Sequence, residues 1–179
     1  ERVAGHDVAA SVAGEISTLS EEFAKNPGVN KMPNWAVGTK SKGNEGVTAS
    51  VKTTPGTIGY IEYGYAKSQN MPMAILENKA GEYVAANTAS GQAALAAAEF
   101  PESLIAWVPD PEAKDAYPIV TYTWVLAYKK YTDKAKLDAL KGVLTYGLTA
   151  GQKDAEALGY LPLPAAVADK VKAALQSIQ

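Results

Sequence analysis

The chain has 179 residues, with 17 basic and 19 acidic side chains giving a formal charge of −2, and 47% of its residues are hydrophobic. That near-balance of charge argues against a dedicated nucleic-acid binder, and the ordinary apolar share excludes wholesale disorder. The absence of cysteine rules out disulfides, thiolate zinc sites, iron–sulfur clusters and cysteine nucleophiles, while leaving the compartment open between cytosol and periplasm. One histidine, His6, thins the catalytic choices further. No apolar run reaches the roughly 18 residues that span a bilayer, and no basic-then-apolar signal opens the chain. Because the first residue is Glu1, the chain reads as a processed or excised piece.

In chain order, Val8, Val12, Ile16, Leu19 and Phe23 recur at spacings of three and four, which predicts a helix ending before Asn26-Pro27-Gly28, with Asp7 at its N-cap. After an irregular stretch, Asn44-Glu45-Gly46-Val47 opens a short helix that stops at Thr54-Pro55-Gly56. Thr57 to Tyr63 alternates and is rich in β-branched and aromatic residues, which predicts a strand. Met73 to Leu76 and Glu82 to Val84 flank the turn-prone Asn78-Lys79-Ala80-Gly81 and predict a hairpin. A small alanine-rich helix is expected over Ser90 to Ala98. Pro109, Pro111 and Pro118 keep the next segment irregular. Ile119 to Tyr128 is the most strand-like run and predicts a buried central strand. Leu137, Leu140, Leu144 and Leu148 mark a helix, Gln152 to Leu158 a short one, and Val167, Val171, Leu175 and Ile178 a terminal one after Leu161-Pro162-Leu163-Pro164. Alternation of strands and helices favours an α/β layered sheet with flanking helices.

Motif chemistry is sparse: G-x-S-x-G, G-x-x-x-x-G-K-[ST], H-E-x-x-H and G-x-G-x-x-G are all missing. His6 and Asp7 are adjacent and would diverge at a helix start, so a hydrolase built on them lacks a nucleophile, and a solvent-facing histidine is the competing reading. Arg2 and Gly5 before a helix start have the makings of an anion site, since unpaired backbone N–H groups and a guanidinium fork suit phosphate or carboxylate oxygens. Against that stands a surface Arg2 with Asp7 as a simple cap. Lys40 to Glu45 also enters a helix, but Glu45 would repel a second negative charge there. Tyr60, Tyr63, Tyr122 and Trp124 lie in strand-like runs, where packing competes with a ligand-stacking role.

Four strings carry a resemblance: Lys42-Gly43-Asn44-Glu45-Gly46-Val47, Thr54-Pro55-Gly56-Thr57-Ile58-Gly59-Tyr60-Ile61-Glu62, Tyr117-Pro118-Ile119-Val120-Thr121-Tyr122-Thr123-Trp124 and Leu158-Gly159-Tyr160-Leu161-Pro162-Leu163-Pro164. From about Ser17 onward they closely resemble, in order and spacing, the phosphate-binding protein of the phosphate ABC transporter, the PstS type, in its cyanobacterial-like form. The resemblance implies a periplasmic-binding-protein type II-like α/β fold, apparently incomplete, because only the later part of the family's sequence is matched. It further implies a periplasmic solute-binding protein, not an enzyme and without cofactor or metal, that binds inorganic phosphate and hands it to a membrane permease. Residues 1–72 would belong to one lobe and 73–179 to the other.

In that family the later part opens with R-S-D-G-S-G-T, and ungapped counting back from Ser20-Glu21-Glu22-Phe23 sets Arg2 on the arginine and Gly5 on the first glycine. His6, Asp7 and Val8 then fall on S-G-T, so the resemblance implies phosphate binding by Arg2, Gly5, His6, Asp7 and Val8 in a degraded form. Two hydroxyls are lost and the Asp7 carboxylate sits where the anion should. The competing expectation is a non-binding interaction fragment that completes its sheet with another chain, either a complementary N-terminal chain or a second copy.

Overall fold

The structure, a computed structural model, describes residues 16–17, 20–26, 28–29, 35 and 38–179. Most of the predicted first helix, with Asp7 as its cap, therefore lies outside the described residues. Its described end departs from the expectation: residues 16–17 are helical, but Ser20 is extended (φ −142°) and its hydroxyl accepts from Phe23 N–H at 3.2 Å, so the predicted continuous helix is interrupted there and a separate α1, Glu21–Lys25, runs to Asn26, where the Asn-Pro-Gly signal stops it.

Helix α2, Gly43–Thr53, forms where predicted and ends at Thr54 before Pro55. The strand expected over Thr57 to Tyr63 does not form. Residues 57–62 carry no ladder, and Tyr63–Ser68 coils into α3. The cause is tertiary: Asn44 Oδ1 accepts from Glu62 N–H at 3.0 Å and Glu45 Oε1 accepts from the Tyr65 hydroxyl at 2.6 Å, so α2 captures the segment at the point where a helix can start. Local β-propensity is the weaker influence.

The hairpin is confirmed as β1, Ile75–Glu77, antiparallel to β2, Tyr83–Ala85, with Leu76 opposite Val84. Helix α4, Thr88–Ala96, follows at once behind a reciprocal cap in which Asn87 Oδ1 accepts from Ser90 N–H and Ser90 Oγ accepts from Asn87 N–H. Residues 97–133 contain only an isolated bridge between Pro109 and Ile119. The buried central strand expected over Ile119 to Tyr128 is thus replaced by an extended run without a ladder. Its inner half packs and its outer half does not: Tyr122 is buried, whereas Val125, Leu126 and Tyr128 are 67%, 61% and 77% exposed.

Helix α5, Lys134–Gly147, is capped by Asp133, whose Oδ1 accepts from Lys136 N–H at 3.0 Å, and its leucine stripe is only half-buried. A 3₁₀ turn, Ala150–Asp154, stands in place of the short helix, and α6, Ala165–Gln176, closes the chain with Val167, Ala168 and Leu175 buried. The C-terminus clasps the residues before α5, Gln179 N–H to Lys129 O at 2.9 Å and Tyr131 N–H to Gln179 O at 2.6 Å. The core is small, Leu95, Val108, Tyr122 and Val167, walled by Phe100, Val120, Trp124, Leu161 and Val171. Its fold class is α/β, with a two-stranded sheet among the described residues.

Candidate functional site

Arg2, Gly5, His6, Asp7 and Val8, the residues read as an anion site, all lie outside the described residues, and so does the His6–Asp7 pair. Within the described residues the geometry bears on the weaker candidates. The Lys42–Gly46 turn starts α2 without a side-chain cap, and Glu45 occupies its first turn. The Tyr65 hydroxyl holds the Glu45 carboxyl below the usual carboxylate range, and that carboxylate in turn raises the Tyr65 phenol. A fixed negative charge at the positive end of a helix opposes anion binding there.

Between α2 and α3 lies an open cleft of about 360 Å³ lined by Glu45, Thr48, Ala49, Lys52, Tyr65 and Gln69. Its polar side chains are hydrogen-bonded within the protein. Lys52 Nζ donates to Gln69 Oε1 at 2.9 Å, Tyr65 to Glu45, and Thr48 Oγ1 to Asn44 O at 2.7 Å. It acts as a clamp between two helices. A second close approach joins this unit to the rest: a Cβ on Gly64 would lie 2.8 Å from Gly159 Cα, and Gly159 itself has φ +85°. Only glycines allow that crossing.

The aromatic candidates divide. Tyr122 is a packing residue whose hydroxyl donates to Leu95 O at 2.6 Å, and burial pushes its phenol up to about 12. Trp124 donates its indole N–H to Leu104 O at 3.0 Å and packs against Trp107 at 5.4 Å between ring centroids. Tyr63 carries Lys67 over its ring at 5.5 Å.

One polar residue read from sequence only as part of a turn organises a whole region. Asn78 is 5% exposed and its Nδ2 donates to Lys114 O at 2.7 Å and Ala116 O at 3.1 Å, while its Oδ1 accepts from Ala80 N–H and Glu82 N–H, both at 3.1 Å. The hairpin loop and the 113–116 turn are pinned together by this one amide. An asparagine opening a four-residue turn signals half of that role, because its side chain mimics a turn backbone.

With the geometry established, the chain can be compared with known proteins. The PBP superfamily domain matches residues 10–150. The chain belongs to this superfamily. It is 37% identical over 172 residues to the phosphate-binding protein PstS of Methanocaldococcus jannaschii, covering 86% of this chain and 44% of that protein. It is 32% identical over 161 residues to the PstS of Pasteurella multocida, covering 88% and 46%, and 32% identical over 162 residues to that of Haemophilus influenzae, covering 88% and 48%. The chain therefore spans just under half the length of these relatives. Among the described residues no helix is long and apolar enough to cross a membrane.

Proposed function

We propose that this chain serves the capture of inorganic phosphate in the periplasm and its delivery to the permease of a phosphate ABC transporter, as solute-binding component rather than enzyme. One observation carries the reading: relatives named as phosphate-binding proteins align with 86–88% of the chain at 32–37% identity. In this reading residues 1–72 and 73–179 contribute to separate lobes. The α2–α3 clamp and the Tyr122 core support that division as separately packed clusters, meeting where Gly64 touches Gly159.

Arg2 supplies a guanidinium fork to phosphate oxygens, Gly5 the turn, and the backbone N–H groups of His6, Asp7 and Val8 the helix-start donors. The Asp7 carboxylate opposes the anion, so the chain binds phosphate weakly. Isothermal titration with inorganic phosphate tests this. His6→Ser, Asp7→Gly and Val8→Thr together are expected to tighten binding by at least about tenfold, and Arg2→Ala to abolish it. An affinity indifferent to both changes would contradict the assignment.

A second reading, an interaction unit that completes its sheet with another chain, is favoured by the ladderless run of Ile119 to Tyr128 and its exposed outer half.

A further inference from the structure

The crossing of Gly64 and Gly159 brings two backbones together with no side chain between them. Gly64 stands in the first turn of α3, and a Cβ there would lie 2.8 Å from both Cα and O of Gly159. Each glycine is fixed in its own cluster. α3 is held to α2 by the Asn44–Glu62 and Glu45–Tyr65 bonds. Gly159 belongs to a strap, residues 158–163, that is bound to the other cluster. There Gln92 Nε2 donates to Pro162 O at 3.2 Å, and Gln152 Oε1 accepts from Leu163 N–H at 2.6 Å. Leu161 packs on the core and fills the space that a Cβ on Gly91 would need. Side chains interlock on that side of the strap, whereas two glycines meeting have no ridges to mesh, so their contact fixes a separation without fixing an angle.

The chain passes between the clusters at the other end of α3. Gln69 N–H to Tyr65 O, Asn70 N–H to Lys67 O and Met71 N–H to Ala66 O close that helix, with Asn70 in the left-handed region at φ 49°. Past Pro72, the Tyr117 hydroxyl donates to Ala74 O at 3.3 Å and ties the chain to the second cluster. The two links therefore sit at the two ends of α3, about 10 Å apart at the helical rise. Bodies joined at two points keep one easy motion, rotation about the line through both, and that line runs along α3. The principal helix packing, α2 on α3 and α5 on α6, stays within each cluster and does not oppose such a turn. We propose, resting on the two-lobe reading above, that α3 is the axle on which the two clusters turn relative to each other, with the Gly64–Gly159 crossing as its bearing. The angle between the lobes is then set where α3 meets the strap.

The chain has no cysteine, so introduced pairs carry spin labels without background. Thr53→Cys with Ala139→Cys spans the clusters, and Glu82→Cys with Ala139→Cys stays within the second, all three positions being exposed. Distances from pulsed paramagnetic resonance are expected to be at least about twofold more broadly distributed for the spanning pair. Gly64→Ala adds a methyl that needs about 3.5 Å where 2.8 Å is available, so it shifts the spanning mean by about 1 Å or more and leaves the other pair unchanged. Tyr117→Phe releases the far end of the joint and broadens the spanning pair further, which decides the question if Gly64→Ala does not fold. A spanning distribution as narrow as the other overturns the axle, and so does a broad one that both variants leave unmoved. Calorimetry with inorganic phosphate on the same labelled chain is read separately: absence of binding counts against phosphate capture, while the label distances still decide the axle.

Discussion

The hairpin of Ile75–Glu77 and Tyr83–Ala85 and the run from Ile119 to Tyr128 invert what their compositions lead one to expect. The hairpin strands have three residues each, both alternate with mostly exposed side chains, and yet they pair in register. The longer run, denser in β-branched and aromatic residues, has no ladder. The difference lies in what closes each of them. Asn78 ties the hairpin loop to itself and to the 113–116 turn through one side-chain amide, Nδ2 donating to Lys114 O and Ala116 O and Oδ1 accepting from Ala80 and Glu82 N–H, so the ends of the two strands are delivered to each other. For the run, Val120, Tyr122 and Trp124 anchor the inner half to the core by side chains, and among the described residues no neighbouring strand is delivered to its backbone beyond the Pro109–Ile119 bridge. Strand propensity describes fitness for a pleated, half-buried surface, and a partner must supply that surface.

Removing the closing residue breaks the ordered side of this comparison. Asn78→Ala leaves the buried Ala116 carbonyl without its partner and removes the bonds to the more exposed Lys114, Ala80 and Glu82 groups, and is expected to cost about 2 kcal/mol in urea unfolding, with the hairpin amides losing protection first. A midpoint equal to that of the parent would show that the hairpin holds without its amide.

The buried hydroxyl of the run should matter less. Tyr122→Phe loses the bond to Leu95 O and is expected to cost about 1 kcal/mol. Its pH signature is distinct. Burial pushes the folded phenol up to about 12 from an ordinary 10.0, so the folded state holds the proton more firmly. That contribution is whole below pH 10 and is lost as pH rises from 10 toward 12. Stability of the parent should fall across that window, and Tyr122→Phe should flatten the fall.

The smallest effect belongs to the ion pair at the hairpin tip. Lys79 Nζ lies 2.8 Å from Glu112 Oε1, and the contact raises the lysine and lowers the carboxyl, but both side chains are mostly exposed. Lys79→Ala is expected to leave the melting temperature unchanged, because solvent and salt screen such a pair. A drop comparable to that of Asn78→Ala would move the closing role from the amide to the charge.

What the sequence made legible follows the same division. α2, α4, α5 and α6 were readable from local breakers and residue spacing, Pro55 after Thr54 and the Leu137-Leu140-Leu144 and Val167-Val171-Leu175 stripes, whereas the caps Asn87 and Asp133 that fix the starts of α4 and α5 were not read. The hairpin was readable from Asn78 to Gly81. Thr57 to Tyr63 reads as strand but forms none, because Asn44 and Glu45, eighteen and twenty residues from the groups they bind at Glu62 and Tyr65, decide where α3 begins. Ile119 to Tyr128 was misread as a buried strand because its pattern carries no information about a partner. The candidate anion residues, Arg2 to Val8, lie outside the described residues; residue chemistry singled out only Arg2 and Gly5 before an expected helix start, and His6, Asp7 and Val8 as phosphate contacts came from the family resemblance alone.

Hydrogen exchange, read residue by residue on dilute and concentrated samples, tests the central claim most directly: that a partner, not propensity, decides which of these segments becomes a strand. The expected result is protection of the hairpin and Asn78-loop amides at every concentration, and protection of Thr121 to Ala127 only where chains associate. Protection of Thr121 to Ala127 in dilute monomer, equal to that of the hairpin, would contradict it.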